Sequence, residues 1–463
     1  MDGLEAVEIQ FSTVLHEKLR LEAKFYSIKT FLNKEFLLVD DILESAVYNS
    51  IYGLNTKGLG YPILRMNEFE TLFIGTPKQH SIKFSEKDFK KHCLKKDDIL
   101  ICRTNGNPKL IGKSAFVAKD YPFVYESHLF KIRANRKLIN SATLSVYLNT
   151  KYGKLEIERL SMQGNQSNFS LAKFKEVRIP KFSQSFCNLI EQKVYLSFSY
   201  FEKSKSLYKQ AENLLLKELN LLDFKPTTQN ISIKSFSESF GSSGRLDSEY
   251  YLPKYDEVIK RIKIKNFDKL ENLVNIKKSI ETGSEAYSDN GVEYIRVSNL
   301  TKFGLSKSAI FIPYNFFEKE QLEELKPKKE TILLSKDGTV GIAYSIKNES
   351  NIITSGAILH LTIKNKNILS EYLTLVLNSI VVQMQSQRDA GGSIIKHWKP
   401  SEIKEILIPI IDHSIQTQIK NKIKESFRLK EESKELLELA KRGVEVAIEE
   451  GEEVAIKFIK EKR

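Results

Sequence analysis

The chain repeats itself at long range. Arg20-Leu21-Glu22-Ala23-Lys24-Phe25-Tyr26 returns as Arg245-Leu246-Asp247-Ser248-Glu249-Tyr250-Tyr251. A constant offset of 229 then carries Gly112 onto Gly341, Leu144 onto Leu373, Asn149 onto Asn378, Lys175-Glu176 onto Lys404-Glu405, Ile179-Pro180 onto Ile408-Pro409, Ser197-Phe198 onto Ser426-Phe427 and Ala211 onto Ala440. A period of this length is too long for a solenoid repeat and indicates a duplicated domain. Two copies of one module in one chain suggest one ligand with two related half-sites.

Each copy has the same texture. From the Arg-Leu-acidic opening to the Ile-Pro pair, short β-type runs such as Asp98-Ile99-Leu100-Ile101-Cys102 and Thr331-Ile332-Leu333-Leu334 lead into glycine-bearing loops. After each Ile-Pro pair the apolar residues fall at helical steps: Ile190, Val194, Phe198, Phe201, Tyr208, Ala211 and Leu215, then Ile419, Ile423, Phe427, Leu436 and Ala440. Gly and Pro are absent from Asn188 to Leu219 and from Asp412 to Arg442. Such long apolar stripes call for a partner helix. The reading is therefore an α+β chain with two tandem α/β modules separated by two long helices packed as an antiparallel coiled coil, a pseudo-twofold internal repeat. The expected boundaries are 1–180 for the first module, 181–222 for the first helix and 223–244 for a linker. The second module follows at 245–409, with the second helix and tail at 410–463.

Charge narrows the ligand. The chain carries a formal +13 at pI near 9.2, which favours a polyanionic partner. Arg20 to Pro180 holds 27 basic against 16 acidic residues, a net of +11; Arg245 to Pro409 holds 24 against 21, a net of +3. The excess sits in the modules and not between them, which a uniformly Lys-rich composition would not produce.

Little supports chemistry. Cys93, Cys102 and Cys187 form no CxxC pair, and the scattered histidines are not shared by the copies. They read as thiols of a reducing, cytoplasmic protein, with no metal or catalytic constellation expected. No Pro-Pro occurs, so the loop with which amino-methyltransferases grip an exocyclic amine is missing, and no G-x-G loop opens a helix. Gly106 to Ser114, GNPKLIGKS, has five residues between its glycines where a phosphate-binding loop has four, and its repeat at Gly338 to Gly341 drops both Lys and Ser. Both loops read better as turns that let the chain approach DNA phosphates. The acidic pairs Asp97-Asp98 and Glu323-Glu324 read as solvated surface. Nothing at the N-terminus resembles a signal peptide, and the apolar run Tyr372 to Val382 is too short to span a bilayer.

The repeated Arg20-Leu21-Glu22 and Arg245-Leu246-Asp247 openings, the glycine loops, the Ile-Pro exits into long helices and the run from Ala440 to Glu449 together resemble the DNA-specificity subunit of type I restriction-modification enzymes. The resemblance implies that each module is a target-recognition domain for one half of a split, asymmetric double-stranded DNA target. It implies that the helices form a spacer and, with adjoining segments, dock two adenine methyltransferase subunits. S-adenosylmethionine then belongs to that partner and no cofactor to this chain. Motor-nuclease subunits can join the complex, and the chain itself is no enzyme. A protein-interaction scaffold on a coiled-coil arm, its charge incidental, is the competing reading; salt-dependent duplex binding separates the two.

Base reading uses Arg, Lys, Asn and Gln on loops. The candidates are Lys78, Gln79, Arg103, Asn105, Asn165 and Gln166 in the first module and Arg296, Asn299, Ser335, Lys336 and Arg388 in the second. Lys109, Lys113 and Lys396 are better placed for phosphate. The positions that differ between copies are expected to carry specificity.

Overall fold

The computed structural model describes residues 7–16, 21, 23–28, 35–49, 52–161, 167–392 and 394–462. The chain divides into two compact units, residues 1–202 with 429–463, and residues 203–428.

The first module is built on antiparallel strands β1 (Leu43–Tyr48), β2 (Ile99–Cys102), β3 (Ser114–Phe116) and β4 (Leu129–Ala134), in the spatial order β1-β4-β2-β3, with two short strands from 69 to 74 continuing beyond β3. Strands β2 and β3 are buried throughout, so Ile-Leu-Ile-Cys forms a continuous apolar run and does not alternate. Helices α1 (Ser141–Leu148), α2 (Lys151–Leu160) and α3 (Leu171–Lys175) follow. Asn140, Thr150 and Ser170 cap them by accepting from the backbone N–H three residues on. Asn149, which ends α1, donates to Ser114 Oγ at 2.8 Å and so fixes β3. Ile179-Pro180 pairs with Leu37-Phe36 as a short antiparallel ladder, and the chain enters the long helix α4 (Gln184–Glu218).

The second module repeats this plan. Strands β5 (Val274–Lys278), β6 (Ile332–Ser335), β7 (Ala343–Ser345) and β8 (Ile358–Ile363) lie in the order β5-β8-β6-β7, which is the order of the first sheet. Helices α5 (Ser370–Asn378), α6 (Ile380–Asp389) and α7 (Pro400–Lys404) take the places of α1 to α3. Asn378 donates to Ala343 O at 2.7 Å and accepts from Ala343 N at 3.1 Å, the counterpart of Asn149 on β3. Ile408-Pro409 pairs with Asp268-Phe267 before α8 (His413–Glu449) and α9 (Glu452–Glu461). The residues common to both copies are thus scaffold.

Helix α4 ends at Asn220, whose φ of 52° is left-handed; Leu221 N donates to Leu216 O at 2.7 Å and buries its side chain, a Schellman stop. Within the first unit, residues 184–202 of α4 and 429–449 of α8 share a core, and Ser197 Oγ donates to Ser433 O at 2.7 Å. Within the second unit Ser426 Oγ donates to Ser204 O at 2.8 Å, and Lys422 Nζ reaches Gln210 Oε1 at 2.8 Å. These four buried serines lie on the helix seam among the apolar residues, where each hydroxyl has a partner. The tail α9 packs on the first unit: Ala455 and Ile459 are fully buried, and Ser183 N donates to Glu452 Oε1 at 2.7 Å.

The acidic pair at 97–98 corrects one expectation. Asp98 is 2% exposed and pairs with Arg133 at 2.7 Å and Lys131 at 3.5 Å, while Asp97 accepts from Tyr195 OH at 2.7 Å. Both carboxylates hold the sheet to its surroundings. Among the described residues no helix is long and apolar enough to cross a membrane, and no group of three His, Cys, Asp or Glu could hold a metal ion.

Candidate nucleic-acid interface

Three segments of the first module meet on one face. After the strand Tyr61–Leu64 the chain makes a 3-10 turn, Met66–Glu68. The buried Glu68 carboxylate closes that turn by accepting from Arg65 N at 2.8 Å, and accepts from Lys78 N at 2.9 Å as well. That second bond fixes the 75–80 loop, leaving Lys78 and Gln79 exposed over a depression of about 530 Å³ shared with Thr56, Gly58, Pro62 and His80. The glycine loop after β2 lies against the turn, with Asn105 Nδ2 3.3 Å from Met66 Sδ and Asn105 Oδ1 accepting from Asn107 N at 2.8 Å. The third segment precedes α3: Phe169 N donates to Arg103 O at 2.8 Å, and Ser167–Asn168 pairs with Thr104–Asn105.

The cations on this face differ in how they are held. The Arg103 guanidinium lies 5.0 Å from the centre of the Tyr48 ring, and its buried Nε has no hydrogen-bond partner among the described residues. Lys113 is half-buried, 5.9 Å from the Phe69 ring, with no carboxylate paired to it among the described residues. Burial holds its ammonium below the ordinary lysine value, and the neighbouring Cys102 offsets part of that. Lys109 is exposed on the short turn Pro108–Leu110. Asn165 and Gln166 lie outside the described residues.

The second module has the same turn, and it joins its glycine loop to the segment before α7. Arg296 N donates to Asn299 Oδ1 at 3.1 Å to close the turn Val297–Asn299, and Arg296 itself is exposed. Gly338 N donates to Lys396 O and Trp398 N to Lys336 O, both at 2.8 Å, joining the glycine loop to the segment before α7. Lys396 is exposed there. Gly341, like its counterpart Gly112, is left-handed, with φ of 82° against 74°, a conformation that favours glycine.

Four expectations for base readers are corrected here. Ser335 is fully buried, donating to Thr339 O at 2.6 Å and accepting from Ile342 N at 2.9 Å, so it ties the loop from inside. Lys336 is 9% exposed as a residue, its ammonium paired with Asp337, which also holds His397 Nδ1 at 2.9 Å. Asn299 spends its amide on Ser306 Oγ and Lys307 O, both at 3.3 Å. Arg388 sits on α6 with its Nε 2.8 Å from Asp389 and its guanidinium 5.2 Å from the Tyr250 ring. Because Arg245 also binds Asp389, through its carbonyl at 2.7 Å, Arg388 belongs to the anchor of the module's opening segment.

One residue was overlooked by the sequence reading. Arg65 holds the position of Arg296, each following the last residue of its strand, Leu64 or Ile295. The offset at this point is 231 instead of 229, which hides the match; aligning the two 3-10 turns would reveal it. Arg65 Nε rests on Glu126 Oε2 at 3.1 Å with the side chain still 38% exposed.

The sequence matches the type I restriction modification DNA specificity domain over residues 35–181 and again over 263–439, more than half of its length. The chain belongs to that family. The first matched stretch covers the first module and stops short of α4, and the second covers the second module and most of α8. No curated protein matches the chain. Among solved structures, a type I restriction-modification S subunit from M. genitalium is 12% identical, over 92% of this chain and 95% of that one, at a TM-score of 0.41. The HsdS subunit from Thermoanaerobacter tengcongensis is likewise 12% identical, over 90% and 97%, at a TM-score of 0.30. Membership rests on the family match, and with it comes a role in DNA specificity.

Proposed function

We propose that this specificity subunit reads double-stranded DNA as two unlike half-sites, one on each module, and performs no chemistry of its own. The observation that carries this is the recurrence in both modules of a glycine loop tied to the segment before α3 or α7 by equivalent backbone hydrogen bonds, together with a 3-10 turn led by an arginine, but clothed in different exposed side chains. A shared frame with unlike polar tips is what reading two different sequences with one fold requires.

In the first half-site Arg65, Lys78, Gln79, Arg103 and Asn105 face base edges, while Lys109 and Lys113 neutralise phosphates. In the second, Arg296 and Lys396 take those parts. Helices α4 and α8 act as an antiparallel coiled-coil spacer, supported by the serine contacts within each unit, and set the half-sites roughly 34 to 36 Å apart, one turn of DNA. Their outer faces and adjoining segments dock two adenine-N6 methyltransferase subunits, which carry S-adenosylmethionine, in a cytoplasmic complex open to motor-nuclease subunits.

Selection of bound duplexes from a random pool is the test. It should return a two-part motif with an unread gap, and affinity should fall steeply with salt. Removing one heptad from each long helix should change the gap and leave both half-sites unaltered. A pool without sequence preference at any salt would leave only the scaffold reading.

A further inference from the structure

In the second module an exposed tip stands beside the glycine loop, where Gly338 N donates to Lys396 O at 2.8 Å. Gly391 and His397 close on each other: Gly391 N donates to His397 O at 3.1 Å and His397 N to Gly391 O at 2.7 Å. Gly392 makes the turn, with φ of 111° and so little room that a β-carbon would sit 2.1 Å from Ile395 O. Two adjacent isoleucines lie exposed between these residues, Ile394 at 94% exposure and Ile395 at 55%. At the offset of 229 their counterparts are Asn165 and Gln166, both amides.

The surroundings point to the occupant. Lys396, next to the pair, is exposed and cationic, and its carbonyl anchors Gly338 of the glycine loop. The nearby carboxylate, Asp337, is already paired with Lys336 and in hydrogen-bond contact with His397 Nδ1. The tip therefore offers apolar branches flanked by positive charge and no free negative charge, on the face proposed to meet the duplex. In the major groove the apolar feature of a base pair is the 5-methyl group of thymine, against which aliphatic side chains pack.

Resting on the proposed DNA-reading role, we infer that Ile394 and Ile395 are specificity-determining residues that recognise thymine methyl groups in the second half-site, where the first module uses hydrogen-bonding amides instead. The second module's low net charge fits this, since it would gain discrimination by apolar contact more than by polar contacts.

The experiment uses the full chain and its selected duplex, with each thymine replaced in turn by deoxyuridine, which removes only the methyl. Anisotropy titrations at fixed salt should show binding weakened about five- to tenfold at one or two adjacent thymines of a single half-site. The double variant I394N/I395Q should lose that sensitivity while keeping its affinity for unselected duplex and its salt slope. Its fold is checked by the fluorescence of Trp398, the chain's single tryptophan, buried in the same unit; the uracil series on the unaltered chain stands regardless. Equal binding of every uracil duplex, a sensitivity that survives the double variant, or brightening of 2-aminopurine at the site with no uracil effect, which would make the pair a wedge between bases, overturns the inference. Failure of the unaltered chain to select any duplex would strike the DNA-reading role itself.

Discussion

In the first module the buried carboxylate of Glu156 accepts from Arg178 N at 3.3 Å and binds Arg178 Nη2 at 2.6 Å and Arg159 Nη2 at 3.0 Å. At the matching place in the second module Gln385 accepts from Leu407 N at 2.9 Å and donates to Leu407 O and Val381 O, both at 3.0 Å. Both side chains bridge the middle of α2 or α6 to the strand that exits the module. One does so with an ion triad and the other with a neutral amide. Arg159 and Arg388, again 229 apart, stack on Phe25 and Tyr250 at 4.4 and 5.2 Å, so the arginine survives in both copies while its counter-charge moves from Glu156 to Asp389. A buried scaffold tolerates either solution provided every donor and charge is matched.

The largest expected effect breaks that match. Glu156→Ala leaves two guanidinium groups without their shared partner and should cost the first unit about 3–5 kcal/mol. Trp398 lies in the second unit, so its fluorescence transition should stay in place while the far-ultraviolet circular dichroism loses an early fraction. Simultaneous movement of both signals would mean that the two units unfold as one.

Acid should separate the modules in the same direction. Burial alone would raise Glu156, but the hydrogen bond from Arg178 and the charges of Arg159 and Arg178 outweigh it, so the folded carboxyl titrates below its ordinary value. A depressed folded value contributes stability that is complete above the unfolded value of about 4.3 and is lost as the pH falls through the lower, folded value. Gln385 has no such titration. Denaturant titrations at descending pH should find the dichroism transition moving below that range more than the Trp398 transition, and Glu156→Gln should reduce the difference.

The comparison also explains what sequence could and could not disclose. Duplication, the strand and helix order and the long helices were legible because glycines, the Ile-Pro exits and the Asn149/Asn378 pair are fixed by backbone needs that recur at a constant offset. The site was legible as loops and only partly as residues. Ser335, Lys336, Asn299 and Arg388 are polar residues beside the right turns, but whether a loop side chain points inward depends on partners such as Thr339, Asp337 and Ser306, and composition does not give that direction. Asp98 was misread for the same reason. Ser197, Ser204, Ser426 and Ser433 fall on the helix seam, where an apolar count passes over them.

Arg103→Ala tests the polar reading of the first face. Loss of a stacked, partly unsatisfied guanidinium should relax selectivity at one base pair of one half-site by about 1–3 kcal/mol, read by repeating duplex selection with the variant. Arg103→Lys should not restore it, because an ammonium cannot reproduce a planar fork resting on Tyr48. Unchanged selectivity would limit Arg103 to packing.

The smallest effect concerns Lys113, which stands where the second loop has Ile342. It is a half-buried cation of this face with no carboxylate of its own among the described residues, so a DNA phosphate would supply a partner and lift the burial cost on its charge. Lys113→Ala should weaken binding to all duplexes by a similar factor, roughly three- to tenfold, and lower the salt slope by about one. Placing the cation in the other copy, Ile342→Lys, should raise the slope by a similar amount if the two loops meet phosphates alike. A slope that responds to the first change and not to the second would show that the three extra residues of the first glycine loop, and not its lysine alone, bring that module to the backbone.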